Sequence, residues 1–417
     1  MDASRPGVET VMRYADALST VTEICQCHGR TETIETADAH RRVVATEIRA
    51  ERDVPAVDRA QATGVAVRAT DTAAASSGSP VRLTRATDSV GRGTAMTVCQ
   101  GHRLPPGADA VVPGIRSNEE SDGFQLFKRV AAGANVAAAG IDAEEGDLLV
   151  EPGESLGTPM VGLLVAADRA RVTVYEPPTV AISNQLPGHE SRASSAASRP
   201  GATVQMLENL GVERVSRLKA AEAREQLSAT VEAVSDGDTE VDLLVVSGSS
   251  AGTDNTPVAT AIDRVGELAC HGVAMEPGGG VVLGSVDGLS VVGIPAEPAS
   301  SYVAGVQFLR PALDALGGRR SRPGCAARVS ARLETKVSSQ PGVRTFVPVT
   351  LSVDAAEKND RPSATPTATR TTGSLAAAAR ANGWLEVAEA DEGLPAGDTV
   401  HVQQWGPDRK LGRVTRR

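Results

Sequence analysis

The sequence is poor in aromatic side chains, in lysine and in cysteine, and each shortage narrows what the chain can be. Aromatic residues make up 2% of the 417 positions, and the only lysines are Lys128, Lys219, Lys336, Lys358 and Lys410. With a formal net charge of −10 and no basic stripe, the electrostatic footprint of a nucleic-acid binder is missing. The five cysteines (Cys25, Cys27, Cys99, Cys270, Cys325) are odd in number and scattered. That excludes a disulfide framework and fits a reducing cytoplasm. Cys25 and Cys27 stand beside His28, but no second Cys/His pair lies at zinc-site spacing, so this stretch reads as a buried helix end. No apolar run approaches the roughly 20 residues of a membrane span, and Met1–Arg30 has no apolar signal-peptide core. The acidic, lysine-poor composition suits a salt-rich cytoplasm. Unfolding followed across a salt series tests this, and full stability without salt is the result that removes the idea.

What the sequence does have is enough apolar residue (41%) for packed cores and a length that implies two to four domains. The stretch that organises it is Val241–Ser301. An apolar, β-branched run from Val241 to Val246 reads as a strand buried on both faces. It breaks into a Ser/Gly-rich loop, Ser247–Thr253, before a helix at Thr256–Val265 with Pro257 near its start. Strand, small-residue loop and helix build anion sites in α/β folds, because backbone N–H groups point at the ligand from the helix N-terminus. Two further strand-length runs feed Gly/Pro-rich turns, His271–Gly280 and Val291–Ser301, so three turns can line one crevice.

Upstream, helical spacing marks Val8–Cys27, and a second helix is expected over Ile34–Val44, with Val43–Ile48 extended. Short strands and turns fill Glu51–Val130, and Leu156–Ala167 returns to a helix. Glu176-Pro177-Pro178 is a linker into Val180–Ser183. Helices are expected at Thr203–Leu210 and Ala220–Ala233, and Ser191–Thr203 reads as a loop. After the Gly317–Pro323 linker come short strands and one helix at Ser374–Ala381. The fold class is multi-domain α/β plus β. It has a helical N-terminal module (1–47 with 141–177) interrupted by a β-rich domain (48–140), a parallel-sheet α/β domain (178–318) and a small C-terminal β-rich domain (319–417).

Several segments, in this order and spacing, resemble the molybdopterin molybdotransferase family (MoeA-type, the fold of the gephyrin E domain). They are Asp53–Val67, Leu104–Val112, Gly133–Asp147, Val245–Gly252, His271–Gly278, Gly293–Ser300, Gly342–Val349 and Gly373–Gly383. The resemblance implies insertion of molybdate into adenylylated molybdopterin with release of AMP, assisted by Mg2+, in a homodimer. It implies catalytic roles for Asp58 and Asp142, and a cation held by Asp142 and Asp254. Substrate would lie against Ser247, Gly248, Ser249, Ser250 and Gly252, with Pro277, Gly278, Pro295, Pro298 and Ser300 in the other two turns. The same carboxylates also read as solvated loop residues.

The chain departs from the family pattern in its charges. The Asp-Arg-Ser-Ala-Met-Asp-Gly-Tyr-Ala signature is here Asp58 to Ala66, with Thr63 in place of the second aspartate and Val65 in place of the aromatic. The arginine-rich approach to Asp142 is Ala137-Ala138-Ala139. The Ser-Thr-Gly-Asp-Glu turn is Ser183 to Pro187, without either carboxylate, and the Asp-Ser-Asn that follows in the family is Gly201-Ala202-Thr203. Met-Lys-Pro-Gly-Lys-Pro is Met275 to Gly280, with Glu276 for a lysine, and Gly-Asn-Pro is Ala296-Glu297-Pro298. A unit charge at 4 Å is worth about 4 kcal/mol at an effective dielectric near 20. A Lys-to-Glu reversal beside a phosphate therefore changes affinity on the order of a thousandfold. Glu276 and Glu297 read either as new ligands or as drift at an abandoned site. The alternative function is a non-catalytic paralogue that binds pterin or a partner on the same scaffold.

Overall fold

The computed structural model describes residues 11–184, 205–208, 210, 212, 214–217, 241–249, 257–295, 297–320, 328–353, 362–367, 375–404 and 412–413. The chain forms two compact units, Thr31–Tyr175 and Met1–Arg30 with Glu176–Arg417. The expected loop at Ser191–Thr203 and helix at Ala220–Ala233 lie outside the described residues, apart from four helical residues, 205–208, in the helix expected over Thr203–Leu210. Among the described residues no helix is long and apolar enough to cross a membrane.

The Thr31–Tyr175 unit is built on a six-stranded sheet. Its order is Ala110–Pro113, Gly64–Val67, Thr94–Val98, Val81–Arg85, Gly123–Leu126 and Ser117–Glu119. Successive strand residues face opposite ways, so Val65 and Val67 join Leu83, Phe124 and Leu126 in one core while Ala66 joins Val98, Leu104 and Val111 in another. The helix Thr158–Ala166 packs Leu164 against Ile48, Val150 and Val174. The helix expected over Ile34–Val44 does not form. Thr31–Glu35 is a strand paired antiparallel with Arg171–Tyr175, a short 3-10 turn follows at Thr36–Asp38, and Val43 and Val44 make isolated bridges. The alternation of Thr31-Glu32-Thr33-Ile34-Glu35, half-buried at every second residue, prevails over the sparse helical spacing.

In the other unit the sheet order is Arg214–Arg217, Thr179–Asn184, Leu243–Ser249, Leu289–Pro295, Val282–Val286, Glu267–His271. The first four run parallel, and Val282–Val286 is antiparallel to both its neighbours. Leu243 and Val245 face a core with Ala17, Val21, Phe308 and Leu309. Leu244 and Val246 face a second core with Val258 and Ile262 of the helix Pro257–Val265. Burial on both faces is why this strand is a continuous apolar run.

The N-terminal helix is shorter than its apolar spacing suggests, Tyr14–Ile24. Arg13 is extended, and Met12 instead pairs with Val273 as a bridge. This helix packs in the core of the α/β unit, so it and the Thr31–Val44 segment fall in different units. The C-terminal part is a seven-stranded sheet around Leu333, Val349, Leu351, Leu385 and Val402, with the short helix Leu375–Arg380 beside it. Five of the few aromatics form one chain of ring contacts between 5.6 and 6.1 Å, Phe308–Tyr14–Phe346–Trp384–Tyr302.

Candidate functional site

The strands Thr179–Asn184, Leu243–Ser249 and Leu289–Pro295 end at one edge of the parallel sheet, where α/β folds bind ligands. The strand read from Val241 to Val246 continues through Ser249, because its parallel pairing carries on to Pro295. The register shifts between Ser247 and Ser249, with Gly248 at φ +122°, a conformation that L side chains rarely adopt. Ser247 is buried and lies opposite Asn184 on one side and Ile294 on the other. Ser183, beside Val246, is fully buried, and its Oγ has no hydrogen-bond partner among the described residues. A buried hydroxyl without a partner costs about 1–3 kcal/mol, and no motif or spacing announces it. Ser250, Gly252 and Asp254 lie outside the described residues.

The other two turns meet. Gly278, at φ +104°, packs so closely against the helix Pro298–Ala304 that a Cβ there would be 3.1 Å from the Ser300 carbonyl oxygen. Pro277 follows a cis Glu276–Pro277 bond and is buried, and Pro295 is buried at the end of its strand. Glu297 is neither a free ligand nor idle. Its carboxylate caps the helix, accepting hydrogen bonds from the Ala299 N–H at 3.1 Å and the Ser300 N–H at 2.7 Å. A resident carboxylate thus takes up two backbone donors in this turn. The buried Cys25 and Cys270 thiols are poor nucleophiles, since burial pushes them up to about 11 and about 12.

The Thr31–Tyr175 unit holds a cavity of about 760 Å³, lined by Arg52, Pro55, Arg59, Gln61, Gln100 and Asp142 among others. Two loops are laced together beside it. Asp58 accepts from the Ala139 N–H at 2.8 Å and Asp53 from the Glu145 N–H at 3.0 Å. Between them Asp142 N–H donates to the Val54 oxygen, and Gly140 N–H to that of Pro55. Asp58 is therefore engaged in holding the loop that carries Asp142. Asp142 itself has no side-chain partner among the described residues. Thr63 accepts from the Gln100 N–H at 3.0 Å, a bond that the aspartate of the family pattern could also accept.

Asp58→Asn, which keeps the acceptor oxygen, is expected to unfold near wild type in urea. Asp58→Ala should lose about 1 kcal/mol, and equal losses for both would show that the charge rather than the bond matters. No three His, Cys, Asp or Glu residues cluster as a metal site among the described residues. With Asp58 engaged and arginines beside Asp142, the described donors do not fit a divalent cation.

Residues 12–167 match the MoeA N-terminal region (domain I and II), and residues 330–405 match the MoeA C-terminal region (domain IV). The chain belongs to the MoeA family. A molybdopterin molybdenumtransferase of Bacillus subtilis is 28% identical over 314 residues, 70% of this chain and 72% of that protein. Molybdopterin molybdenumtransferase 1 of Mycobacterium tuberculosis is 26% identical over 353 residues, 75% and 79% of the two chains. A crystal structure of a molybdopterin biosynthesis moeA protein from Pyrococcus horikoshii OT3 superposes with a TM-score of 0.75 at 24% identity, covering 95% of this chain and all of that one. A second P. horikoshii moeA structure gives 0.66 at 30% identity over 95% and 99%. The multi-domain MoeA architecture expected from the motifs is the one this chain adopts. Among the candidate residues, the structure brings Asp58 and Asp142 to adjoining loops of one unit. In the other unit it joins Pro277 and Gly278 to Ser300.

Proposed function

We propose that this MoeA-family chain is a molybdopterin molybdotransferase of molybdenum cofactor biosynthesis. In this reading it inserts molybdate into adenylylated molybdopterin and releases AMP. The observation that carries the reading is the retained strand-edge geometry: the Gly248 bulge beside buried Ser247, and the Pro277-Gly278 turn seated on the helix that begins at Pro298. The names of the relatives support the same pathway, and they lend nothing to the non-catalytic alternative.

On this proposal Ser247 and the neighbouring backbone position the substrate's anionic groups, with the orphaned Ser183 hydroxyl as a further donor. Gly248 allows close backbone approach. Asp142 lines the cavity of the Thr31–Tyr175 unit, and Asp58 keeps its loop in place. Magnesium is implied by the family resemblance, but the described donor set does not fit it, and no step is assigned to it. The modules 48–140, 178–318 and 319–417, with the helix Tyr14–Ile24 assigned to the α/β module, a cytoplasmic location and a homodimer complete the proposal; analytical ultracentrifugation checks the last.

The test is AMP release from adenylylated molybdopterin with molybdate and magnesium, at high and low salt. Turnover by the wild type is expected. No turnover, with partial rescue by Thr63→Asp, Glu276→Lys and Glu297→Asn together, would mean a decayed site on an intact scaffold and would overturn the enzyme reading.

A further inference from the structure

The chain leaves the α/β unit after Arg30 and re-enters it at Glu176. Both crossings are tied to one anchor, whose residues all belong to that unit: His28, Arg30, Glu176, Thr179, Asp242 and Leu316. The Glu176 N–H donates to the Arg30 oxygen at 3.1 Å, and beyond it the ladder continues as Thr31–Glu35 paired with Arg171–Tyr175. The Arg30 guanidinium donates to both oxygens of Asp242, at 2.7 and 2.6 Å. That carboxylate is buried and also accepts from the Thr179 N–H at 2.7 Å. His28 completes the anchor. Its own N–H donates to the Leu316 oxygen at 3.2 Å, the Arg30 N–H donates to its Nδ1 at 3.0 Å, and its Nε2 lies 3.1 Å from the Glu176 oxygen.

This geometry admits one form of the ring. A backbone N–H can only donate, so Nδ1 must present its lone pair to Arg30. Nε2 faces a carbonyl oxygen and must then carry the proton. A second proton has only Nδ1 to go to, and there it meets the Arg30 N–H head on. The charged and titratable groups on the segments packed around the ring are Cys27, Arg30, Glu176 and Asp242, with Asp314, Arg319 and Arg320 about the helix end at Leu316. Three carboxylates stand against three guanidiniums, so no excess of negative charge offsets a proton added to the ring.

We infer that this junction is a pH-sensitive anchor, fastened while His28 is neutral and loosened when it is protonated. The proton taken up at Nδ1 breaks the bond from Arg30 and returns that N–H to water. The Arg30–Asp242 ion pair then remains on one crossing without the imidazole that links it to the other. The inference does not depend on the reaction proposed above.

The test uses the full chain, followed by NMR between pH 8 and pH 5, the range in which histidine changes charge. At pH 8 the ring nitrogens of His28 should report the Nε2–H tautomer. Protection of the Arg30 and Glu176 amides, corrected for the intrinsic pH dependence of exchange, should fall about tenfold by pH 5. Amides of the Leu243–Ser249 strand should keep theirs. His28→Asn offers an oxygen to the N–H two residues on, as in an Asx turn, and does not titrate. It should hold the protection of both amides at either pH. His28→Ala should already show the acid level at pH 8.

An Nδ1–H tautomer at pH 8, protection that does not change with pH in the wild type, or a pH dependence that persists in His28→Asn each overturns the inference. So does wild-type protection in His28→Ala at pH 8. A parallel loss in the Leu243–Ser249 strand would mean acid unfolding of the whole unit, and overturns it as well.

Discussion

Gly64→Ala is expected to pull apart the six-stranded sheet of the Thr31–Tyr175 unit, at a cost of about 3 kcal/mol or more. Gly64 pairs with Val98 on one side and Pro113 on the other. A Cβ on it would lie 2.1 Å from the Val112 oxygen, 2.9 Å from Pro113 Cα and 3.0 Å from the Gly114 nitrogen. All three are backbone atoms, so no side chain can turn aside, and the Ala110–Pro113 strand must leave. Both tryptophans, Trp384 and Trp405, belong to the other unit, so their fluorescence does not report this sheet. Amide hydrogen exchange does. Exchange at 64–67 and 110–112 should speed up on the order of a hundredfold. The comparison is Gly162→Ala, in the helix Thr158–Ala166 with nothing within 4 Å of the added Cβ. It should be neutral or stabilising by up to about 1 kcal/mol. Wild-type exchange in Gly64→Ala would mean the sheet has slack that the close approach denies.

The same signature shows what a sequence can and cannot disclose here. The residues it keeps from the family pattern have structural duties: Asp58 ties the Ala139 loop, Gly64 admits the neighbouring strand, and Ala66 is fully buried. At 63 and 65, two of the positions where it departs from the pattern, the new residues serve the scaffold too: Thr63 accepts from the Gln100 N–H and Val65 packs in the sheet's core. Resemblance therefore reads the scaffold well, and the chemistry poorly. The buried parallel strands were legible because burial on both faces writes itself as an unbroken apolar run. The Thr31–Glu35 strand was not, because its partner lies about 140 residues away and only alternate residues are half-buried. Glu297 is the clearest misreading. In the sequence it is a negative charge gained where the family pattern has asparagine, beside an anion site; in the fold its charge is spent on two backbone donors of its own helix. Nor does spacing along the chain reveal that Arg344 meets Tyr14, Glu386 and Glu389.

That cluster carries the second large effect, and Arg344→Met should expose it. One guanidinium nitrogen of Arg344 donates to Glu386 and another to Glu389 at 2.6 Å, while the group lies over the Tyr14 ring with its carbon 5.1 Å from the centroid. All three charged side chains are 22–23% exposed, so the ions are largely out of water. Removing the arginine leaves two carboxylates sharing a part-buried site. The cost at neutral pH should be about 2–4 kcal/mol, at or below what a fully buried pair would lose.

The pH dependence separates this from a simple packing loss. Burial, the largest single effect, would push the Glu389 carboxyl up, but the hydrogen bond from Arg344, a backbone hydrogen bond and the attraction of the Arg344 and Arg13 charges together hold it below the usual carboxylate range. A group depressed on folding stabilises above its unfolded value, about 4.3, and that contribution is lost as pH falls through the folded value. The gap between wild type and Arg344→Met should therefore be widest at neutral pH and close in acid. Arg344→Lys keeps the charge without the two-pronged geometry and should fall between. Trp384 abuts the cluster through Phe346, so its fluorescence reports the urea transition at each pH. A gap that stays constant from neutral pH into acid would assign the loss to the arginine's stem packing on Tyr14 rather than to its two carboxylate bonds.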